Sequence, residues 1–259
     1  MQVRTRDGCA LYATAQGQGD AVFFIPGLGG SSAFWKTVIP HFARYRVVLM
    51  DHRGAGQSER PDQVYTVEQL AQDACDVLDH FEIQKAHIVG HSTGGAIGQV
   101  MAIDYARYVD HLVLGGTWAK PDDAFRLMFK ARREILLRAG TEAYAATTQF
   151  LGFAPEWIAE NFAEINTSIA KAADLEPLAV TASRIDMVTA FDRSRDLHRI
   201  AKPTLVLGAP DDIIVPFRHS RELMTMIAGA RLASMPGGHF FPRAAPAEFA
   251  RIVQEFLVH

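Results

Sequence analysis

The 259-residue sequence contains only two cysteines, no lysine- and arginine-rich block, and no hydrophobic run of the ~20 residues needed to cross a bilayer. Cys9 and Cys75 form no C-x-x-C pattern, which excludes a zinc ribbon or a disulfide framework and is typical of a reducing cytoplasm. A formal net charge of −3 argues against nucleic acid and anionic membranes as partners. Residues 1–19 are polar and lack the apolar core of a signal peptide. We therefore expect a cytoplasmic protein that binds a small molecule, with the oligomeric state left open and a homodimer as one option.

Short apolar runs separated by helical patterns dominate the rest of the chain. A hairpin is predicted around Asp7-Gly8, because alternating residues flank that turn dipeptide. Buried strands are predicted at AVFFIPG (21–27), RVVLMD (46–51), AHIVGH (86–91), HLVLGG (111–116) and PTLVLGA (203–209), with a weaker copy at ARLASMPGG (230–238). Apolar spacing predicts a helix over 66–81 with Thr66 as its cap. Runs of this kind indicate parallel strands in βαβ units, and therefore an α/β fold.

The strand pattern stops between Thr117 and about Phe191. Amphipathic helical patterns occupy this stretch, and Gly140, Gly152 and Pro155 are predicted to interrupt them. We expect a mostly parallel central sheet flanked by helices, with a helical cap inserted after the sixth strand. The predicted boundaries are 1–116 and 192–259 for the core and 117–191 for the cap.

Three strand ends carry the residues of a nucleophilic site. In an open parallel sheet, chemistry collects beyond the carboxyl ends of the strands. Ser92 follows the strand at 86–91 within Gly90-His91-Ser92-Thr93-Gly94, the acid pair Asp211-Asp212 follows the strand at 203–209, and His239 follows the last strand. The serine alone has a second interpretation, as the cap of the next helix. The order Ser, Asp, His favours a nucleophile, because α/β hydrolases use that order.

Each of these residues has a chemical role in this interpretation. A serine hydroxyl needs a base to remove its proton, which is the predicted role of His239, while a carboxylate orients the imidazole and stabilises its charged form. The backbone N–H groups of Leu28 and Thr93 are the predicted oxyanion hole. We expect no cofactor, and no metal because His41, His52, His80, His87 and His111 form no pair with ligand spacing. His91 and the turn DHRGAGQS (51–58) are interpreted as structural.

These motifs together resemble the α/β-hydrolase superfamily over essentially the whole chain. The oxyanion loop of that family is similar to FFIPGLGGSS, and its D-x-R-G-x-G-x-S turn to VLMDHRGAGQSERP. Its nucleophile elbow is similar to VGHSTGG, and its histidine loop to MPGGHFF. The resemblance implies Asp212 as the acid, through D-x-x-V-P. Relatives usually have glycine where Ala209 stands, which keeps Asp211 as an alternative. Scattered cap positions resemble aminoacrylate hydrolases and, less closely, 3-oxoadipate enol-lactonases and related esterases.

The sequence thus favours a serine hydrolase for a small carboxylic ester, lactone, enol-lactone or activated C–N bond. The alternatives are a C–C bond hydrolase, an aminoacrylate-type imine hydrolase, and a ligand receptor that kept the fold without turnover. Substrate specificity is expected to lie in the cap, where Arg126, Lys130, Arg133 or Arg184 could bind a substrate carboxylate. The predicted apolar pocket residues, which could equally be core, are Trp118, Phe125, Met128, Phe129, Trp157 and Met187.

Overall fold

A computed structural model describes residues 1–170, 175 and 177–258 of the chain. Its centre is an eight-stranded sheet with the spatial order β1-β2-β4-β3-β5-β6-β7-β8. The strands are β1 (Gln2–Arg4), β2 (Ala10–Gln16), β3 (Ala21–Ile25), β4 (Arg46–Met50), β5 (Ala86–His91), β6 (Val109–Gly115), β7 (Thr204–Gly208) and β8 (Arg231–Ser234). β1 and β2 form the predicted antiparallel hairpin, and the strands from β4 to β8 pair in parallel.

Helices cover both faces of the sheet, as continuous apolar strands require. The helices of the core are α1 (Val67–His80), α2 (Thr93–Asp104), α7 (Arg218–Met226), α8 (Phe241–Ala244) and α9 (Pro246–Leu257). Thr66 caps α1 as predicted, because its side chain accepts a hydrogen bond from the Gln69 N–H at 3.1 Å. No helix in the described part of the chain combines the length and the apolar character that a bilayer crossing demands.

In the described residues of the range predicted for the cap, four α-helices lie between β6 and β7. They are α3 (Asp123–Gly152), α4 (Pro155–Glu160), α5 (Phe162–Ala170) and α6 (Leu178–Ala190). Gly140 interrupts α3 with φ 86° and ψ −178°, and Pro155 begins α4. The predicted cap range 117–191 includes residues 171–174 and 176, and the predicted core range includes residue 259, all of which lie outside the described residues.

β3, β4 and β7 stop one or two residues inside their predicted ranges, while two other strands, β6 and β8, differ for reasons of polarity. β6 begins at Val109, two residues before the predicted start, because the polar Asp110 separates Val109 from the predicted run. β8 is the edge strand beside β7 and is at best half-buried along its length, which explains its weak apolar pattern. Core burial therefore decides how clearly each strand is visible in the sequence.

Candidate active site

Ser92 lies at the sharp turn between β5 and α2. Its backbone has φ 54° and ψ −118°, a conformation that residues other than glycine rarely adopt. The flanking glycines permit the turn, because a Cβ on Gly90 would overlap the Gly94 carbonyl and a Cβ on Gly94 would overlap the Ile25 carbonyl. The Ser92 side chain makes no capping hydrogen bond to α2. The geometry therefore departs from the helix-cap interpretation and matches a strained strand-to-helix elbow.

Asp212 and His239 form a buried pair beyond β7 and β8. His239 Nδ1 lies 2.7 Å from Asp212 Oδ2, and both side chains are almost fully buried. The second carboxylate oxygen accepts hydrogen bonds from the Ile214 and Val215 N–H groups at 2.9 and 2.8 Å. Because an ionised carboxylate only accepts, Nδ1 carries the proton and Nε2 is left with a free lone pair. This arrangement holds His239 in the tautomer that a general base needs.

Asp211, the alternative acid, has a different environment. Its Oδ2 accepts hydrogen bonds from the Gly237 and Gly238 N–H groups at 3.2 and 2.9 Å. Both glycines have positive φ, 128° and 65°, in the loop that leads to His239. Asp211 therefore braces the histidine loop, whereas Asp212 contacts the imidazole itself. Neither role can be read from the adjacent pair of aspartates in the sequence.

The glycine-rich loop after β3 lies against the elbow. A Cβ added to Gly27 would lie 3.1 Å from the Ser92 Cβ, so only glycine fits there without displacement. The loop is fixed from outside by Asp51, whose Oδ1 accepts a hydrogen bond from the Ser32 N–H at 2.7 Å. Within the described residues, the Leu28 and Thr93 N–H groups donate no hydrogen bond. Both are thus available to bind an oxyanion.

The Ser92 hydroxyl has no hydrogen bond to another described residue, including His239. The hydrogen bond between a nucleophile and its base is often long or misaligned without substrate, and it tightens when substrate binds. A second imidazole lies close by, since the rings of His91 and His239 are 4.9 Å apart between centroids. Burial, with a smaller contribution from His239, holds the pKa of His91 well below its usual value. The neutral His91 ring stacks on Phe34 and packs beside the site, as the structural interpretation predicts.

The histidine loop is joined directly to the cap. The Phe240 N–H donates a hydrogen bond to the Gly152 carbonyl at 2.8 Å, and a Cβ on Gly152 would overlap the Phe240 ring. Phe240 also meets Phe153 at 5.1 Å between centroids, and Phe153 stacks on Trp157 at 3.8 Å. The end of α3 and the start of α4 therefore pack against the loop that carries His239. No sequence motif predicted this contact.

Most of the predicted pocket residues are deeply buried. Trp118, Phe125 and Phe129 are at most 2% exposed and contact one another, with centroid distances of 4.7 and 4.5 Å. Met187 is also buried in the main hydrophobic core, while Trp157 is half-buried. These aromatic rings pack between the cap and the sheet. Their burial matches the alternative interpretation in Sequence analysis, that these residues belong to the core.

Arg184 differs from the other basic candidates of the cap. Arg133 pairs with Asp186, Arg126 donates to the Pro121 carbonyl, and Lys130 is exposed on α3. Arg184, on α6, is only 3% exposed and forms no ion pair with a carboxylate among the described residues. Burial lowers its pKa to about 10, so the guanidinium is still charged at neutral pH.

Arg184 lies against the glycine-rich loop after β3 and the turn after β4. It donates to the Gly54 carbonyl at 3.2 Å, and Nη2 lies 3.4 Å from His52 Nδ1. A Cβ on Gly30 would overlap the same Nη2 atom, while Nε has no partner. A charged group buried without a counter-ion is costly, so an anion beside Arg184 would be stabilised.

Comparison with known proteins identifies the class. The alpha/beta hydrolase fold family matches residues 20–242, and the chain belongs to this family. RutD of Azorhizobium caulinodans, a carbamate hydrolase by name, is 34% identical over 249 residues, covering 95% of this chain and 94% of that protein.

Solved structures agree with this assignment. The enol-lactonase from Burkholderia xenovorans LB400 superposes with a TM-score of 0.93 at 23% identity and covers 100% of both chains. A hydrolase from Pseudomonas aeruginosa PA01 has a TM-score of 0.88 at 28% identity, covering 99% of this chain and 97% of that one. The predicted fold and the predicted enzyme class, a hydrolase, are thereby confirmed.

Proposed function

We propose that the protein is a serine hydrolase in which Ser92 is the nucleophile, His239 the general base and Asp212 the orienting acid. The observation that carries this proposal is the buried Asp212–His239 pair at 2.7 Å, together with a strained Ser92 whose side chain makes no capping hydrogen bond. The N–H groups of Leu28 and Thr93 are proposed to bind the oxyanion. No residue of this mechanism requires a cofactor or a metal ion.

The reaction would proceed in two half-reactions. His239 Nε2 takes the Ser92 proton as Oγ attacks the substrate carbonyl, and the tetrahedral intermediate carries its negative charge towards the two N–H groups. The intermediate collapses when the leaving group departs with the proton from His239. Water then attacks the acyl-enzyme with His239 again as base, which releases the acid and restores Ser92.

The proposed substrate is a small carboxylic ester, lactone, enol-lactone or activated C–N bond such as a carbamate. The names of the RutD relative and of the enol-lactonase support this range. The aminoacrylate-type alternative differs in mechanism, because water would add to an imine carbon without an acyl-enzyme. The C–C bond hydrolase remains the third enzymatic candidate.

The arginine at the oxyanion loop favours acidic substrates within that range. We propose that Arg184 binds a substrate carboxylate, because it is a buried cation without a carboxylate partner in the described part of the chain and lies against Gly30. Arg184→Met should raise KM for a half-ester of a dicarboxylic acid and leave KM for the matched neutral ester little changed. Equal effects on both substrates would instead show that Arg184 only supports the loop.

The decisive experiment compares the parent with Ser92→Ala on p-nitrophenyl acetate and on a lactone panel. We expect the variant to lose at least about 1,000-fold in kcat/KM, and intact-protein mass spectrometry to detect an acyl group on the parent only. Equal rates for the two proteins would refute the proposal. Turnover of an imine substrate without any acyl adduct would assign the alternative mechanism.

Three accompanying proposals concern the location of the enzyme, its partners and its oligomeric state. We propose a cytoplasmic location, which fits two free buried thiols, Cys9 and Cys75. We also propose that the enzyme does not bind nucleic acid, given its net charge of −3, and that a homodimer is the state to test against a monomer by light scattering.

A further inference from the structure

A second cluster of polar side chains lies at the N-terminal ends of β5 and β6, the end of the sheet away from Ser92. His87 is the second residue of β5, and Asp110 and His111 are the second and third residues of β6. His87 stands five residues before Ser92 along the chain, and a strand rises about 3.3 Å per residue. The cluster is thus separated from the proposed active site by roughly the length of β5.

A β-bulge brings the three side chains together. The pairing register changes from Ala86↔Val109 to Ile88↔Leu112, so two residues of β6 stand opposite the single residue His87. Neighbouring residues in a regular strand point to opposite faces, and a bulge redirects one of them. Asp110 and His111 can therefore both face His87, although the separation of the two histidines along the sequence predicts no site.

The distances in this cluster match those of metal ligands. Asp110 Oδ2 lies 3.4 Å from His87 Nδ1 and 3.4 Å from His111 Nδ1, and the three ligand atoms all lie within 4.8 Å of one another. Ligand bonds of 2.0–2.2 Å in a tetrahedral zinc site place neighbouring ligand atoms about 3.3–3.6 Å apart. Two edges of such a tetrahedron are already present, and the third closes by small rotations of the rings.

Neither Nδ1 atom has a hydrogen-bond partner among the described residues, although each lies 3.4 Å from Asp110 Oδ2. Both atoms are buried, and the His87 side chain is only 7% exposed. A buried imidazole nitrogen normally has a partner, so two such atoms facing one carboxylate oxygen point to a shared ligand. The rings are held by apolar neighbours, with Tyr45 beside His87 and Phe256 beside His111.

We propose that His87, Asp110 and His111 bind a divalent transition-metal ion of the zinc class. Two imidazoles and one carboxylate suit zinc and its neighbours better than the oxygen-seeking Mg²⁺ and Ca²⁺. Asp110 is 33% exposed, which leaves a side open for a water molecule as the fourth ligand. Lys85 Nζ lies 2.7 Å from Asp110 Oδ1 and so competes electrostatically with the cation, although it leaves Oδ2 free.

The position of the cluster indicates a structural role for the ion. It would connect β5 to β6 across the bulge, at the end of the sheet away from the catalytic residues. The inference is independent of the proposed function, and its test requires no activity measurement.

The test is calorimetric titration of the tag-free, metal-stripped enzyme with ZnCl₂, alongside Asp110→Asn, His111→Gln and Lys85→Gln. We expect one tight site per chain, at least about 10-fold weaker in the first two variants and tighter in Lys85→Gln. His198→Gln, which changes an exposed histidine elsewhere, should bind zinc like the parent, as should Ser92→Ala. Zinc should also raise the Tm of the parent but not of His111→Gln.

Two outcomes of the zinc titration would overturn the proposal. One is the lack of a one-to-one zinc site in the parent, and the other is equal zinc affinity in the parent, Asp110→Asn and His111→Gln. Co²⁺ provides a check that does not depend on variant stability, because bound Co²⁺ should give the visible absorption of a four-coordinate complex in the parent. A spectrum of free aqueous Co²⁺ at saturating protein would count against the site, and so would binding of Ca²⁺ as tight as that of Zn²⁺.

Discussion

The backbone strain at Ser92 leads to a measurable and unusual prediction. With φ 54° and ψ −118°, this residue occupies a region that costs a side-chain-bearing residue about 1–3 kcal/mol. Glycine removes that cost, but its freedom in the unfolded chain costs about 0.5–1 kcal/mol. Ser92→Gly should therefore be more stable than Ser92→Ala by about 1 kcal/mol. Both variants lack the hydroxyl, so the comparison isolates the effect of the Cβ atom.

Urea unfolding of the two variants measures this difference, provided that their m-values agree. A difference of about 1 kcal/mol corresponds to about 2–4 °C in Tm for a chain of this size. Ser168, in helix α5, supplies the matched control. There Ser168→Ala should be more stable than Ser168→Gly by about 1 kcal/mol, the reverse order. If Ser92→Ala equals or exceeds Ser92→Gly in stability, the elbow stores no strain and the reasoning is refuted.

Three further predictions concern the acids, the buried histidines and the turn after β4. Asp212→Asn should lower kcat by about 10⁴-fold, because the amide stabilises the wrong tautomer of the base. Asp211→Asn loosens only the histidine loop and should lower kcat by no more than about 100-fold. If Asp211→Asn has the larger effect, the roles of the two acids are exchanged. Burial holds the pKa values of His52 and His91 well below the usual value, so the unfolded chain binds protons that the folded one does not. The free energy of unfolding should consequently fall as the pH drops below about 6.5, by up to about 1.4 kcal/mol per pH unit for each ring. Urea unfolding at pH 7.5, 6.5 and 5.5 measures this slope, and a flat profile contradicts it. Gly56→Ala should destabilise the protein by more than about 1 kcal/mol in the same assay, because Gly56 has φ 53° and a Cβ would overlap the Asp51 carboxylate. An unchanged urea midpoint would show that the turn adjusts to the added methyl group without cost.

The sheet was predictable because its parallel strands, apart from the edge strand β8, are largely buried on both faces. Runs such as AVFFI and TLVLG have no other stable location in a chain of this composition. Ser92, the acid pair and His239 each follow a strand, and chemistry collects at the carboxyl ends of such strands. The sequence therefore predicted that these residues lie at the same end of the sheet. The capping role of Thr66 was predictable because a cap depends only on residues close by in the sequence.

Features that depend on contacts between distant segments were not predictable. The residues themselves did not separate Asp211 from Asp212, and only the D-x-x-V-P resemblance favoured Asp212. Their environments depend on the path of two loops, because both carboxylates accept backbone or ring N–H groups within 3.2 Å. The burial of Arg184 depends on how α6 packs against the turn at Gly54. The bulge in β6 depends on its register with β5 and leaves no turn residue as a sign.

The hydrogen bond from the Phe240 N–H to the Gly152 carbonyl restricts how substrate can reach the enzyme. If the cap rotated away from the sheet on this side, it would pull on the loop that carries His239 and separate the imidazole from the serine. Ligand entry by that route and a competent relay would then be alternating states, each excluding the other. Under the proposed mechanism, an enzyme that keeps this hydrogen bond through the catalytic cycle must admit substrate by another route.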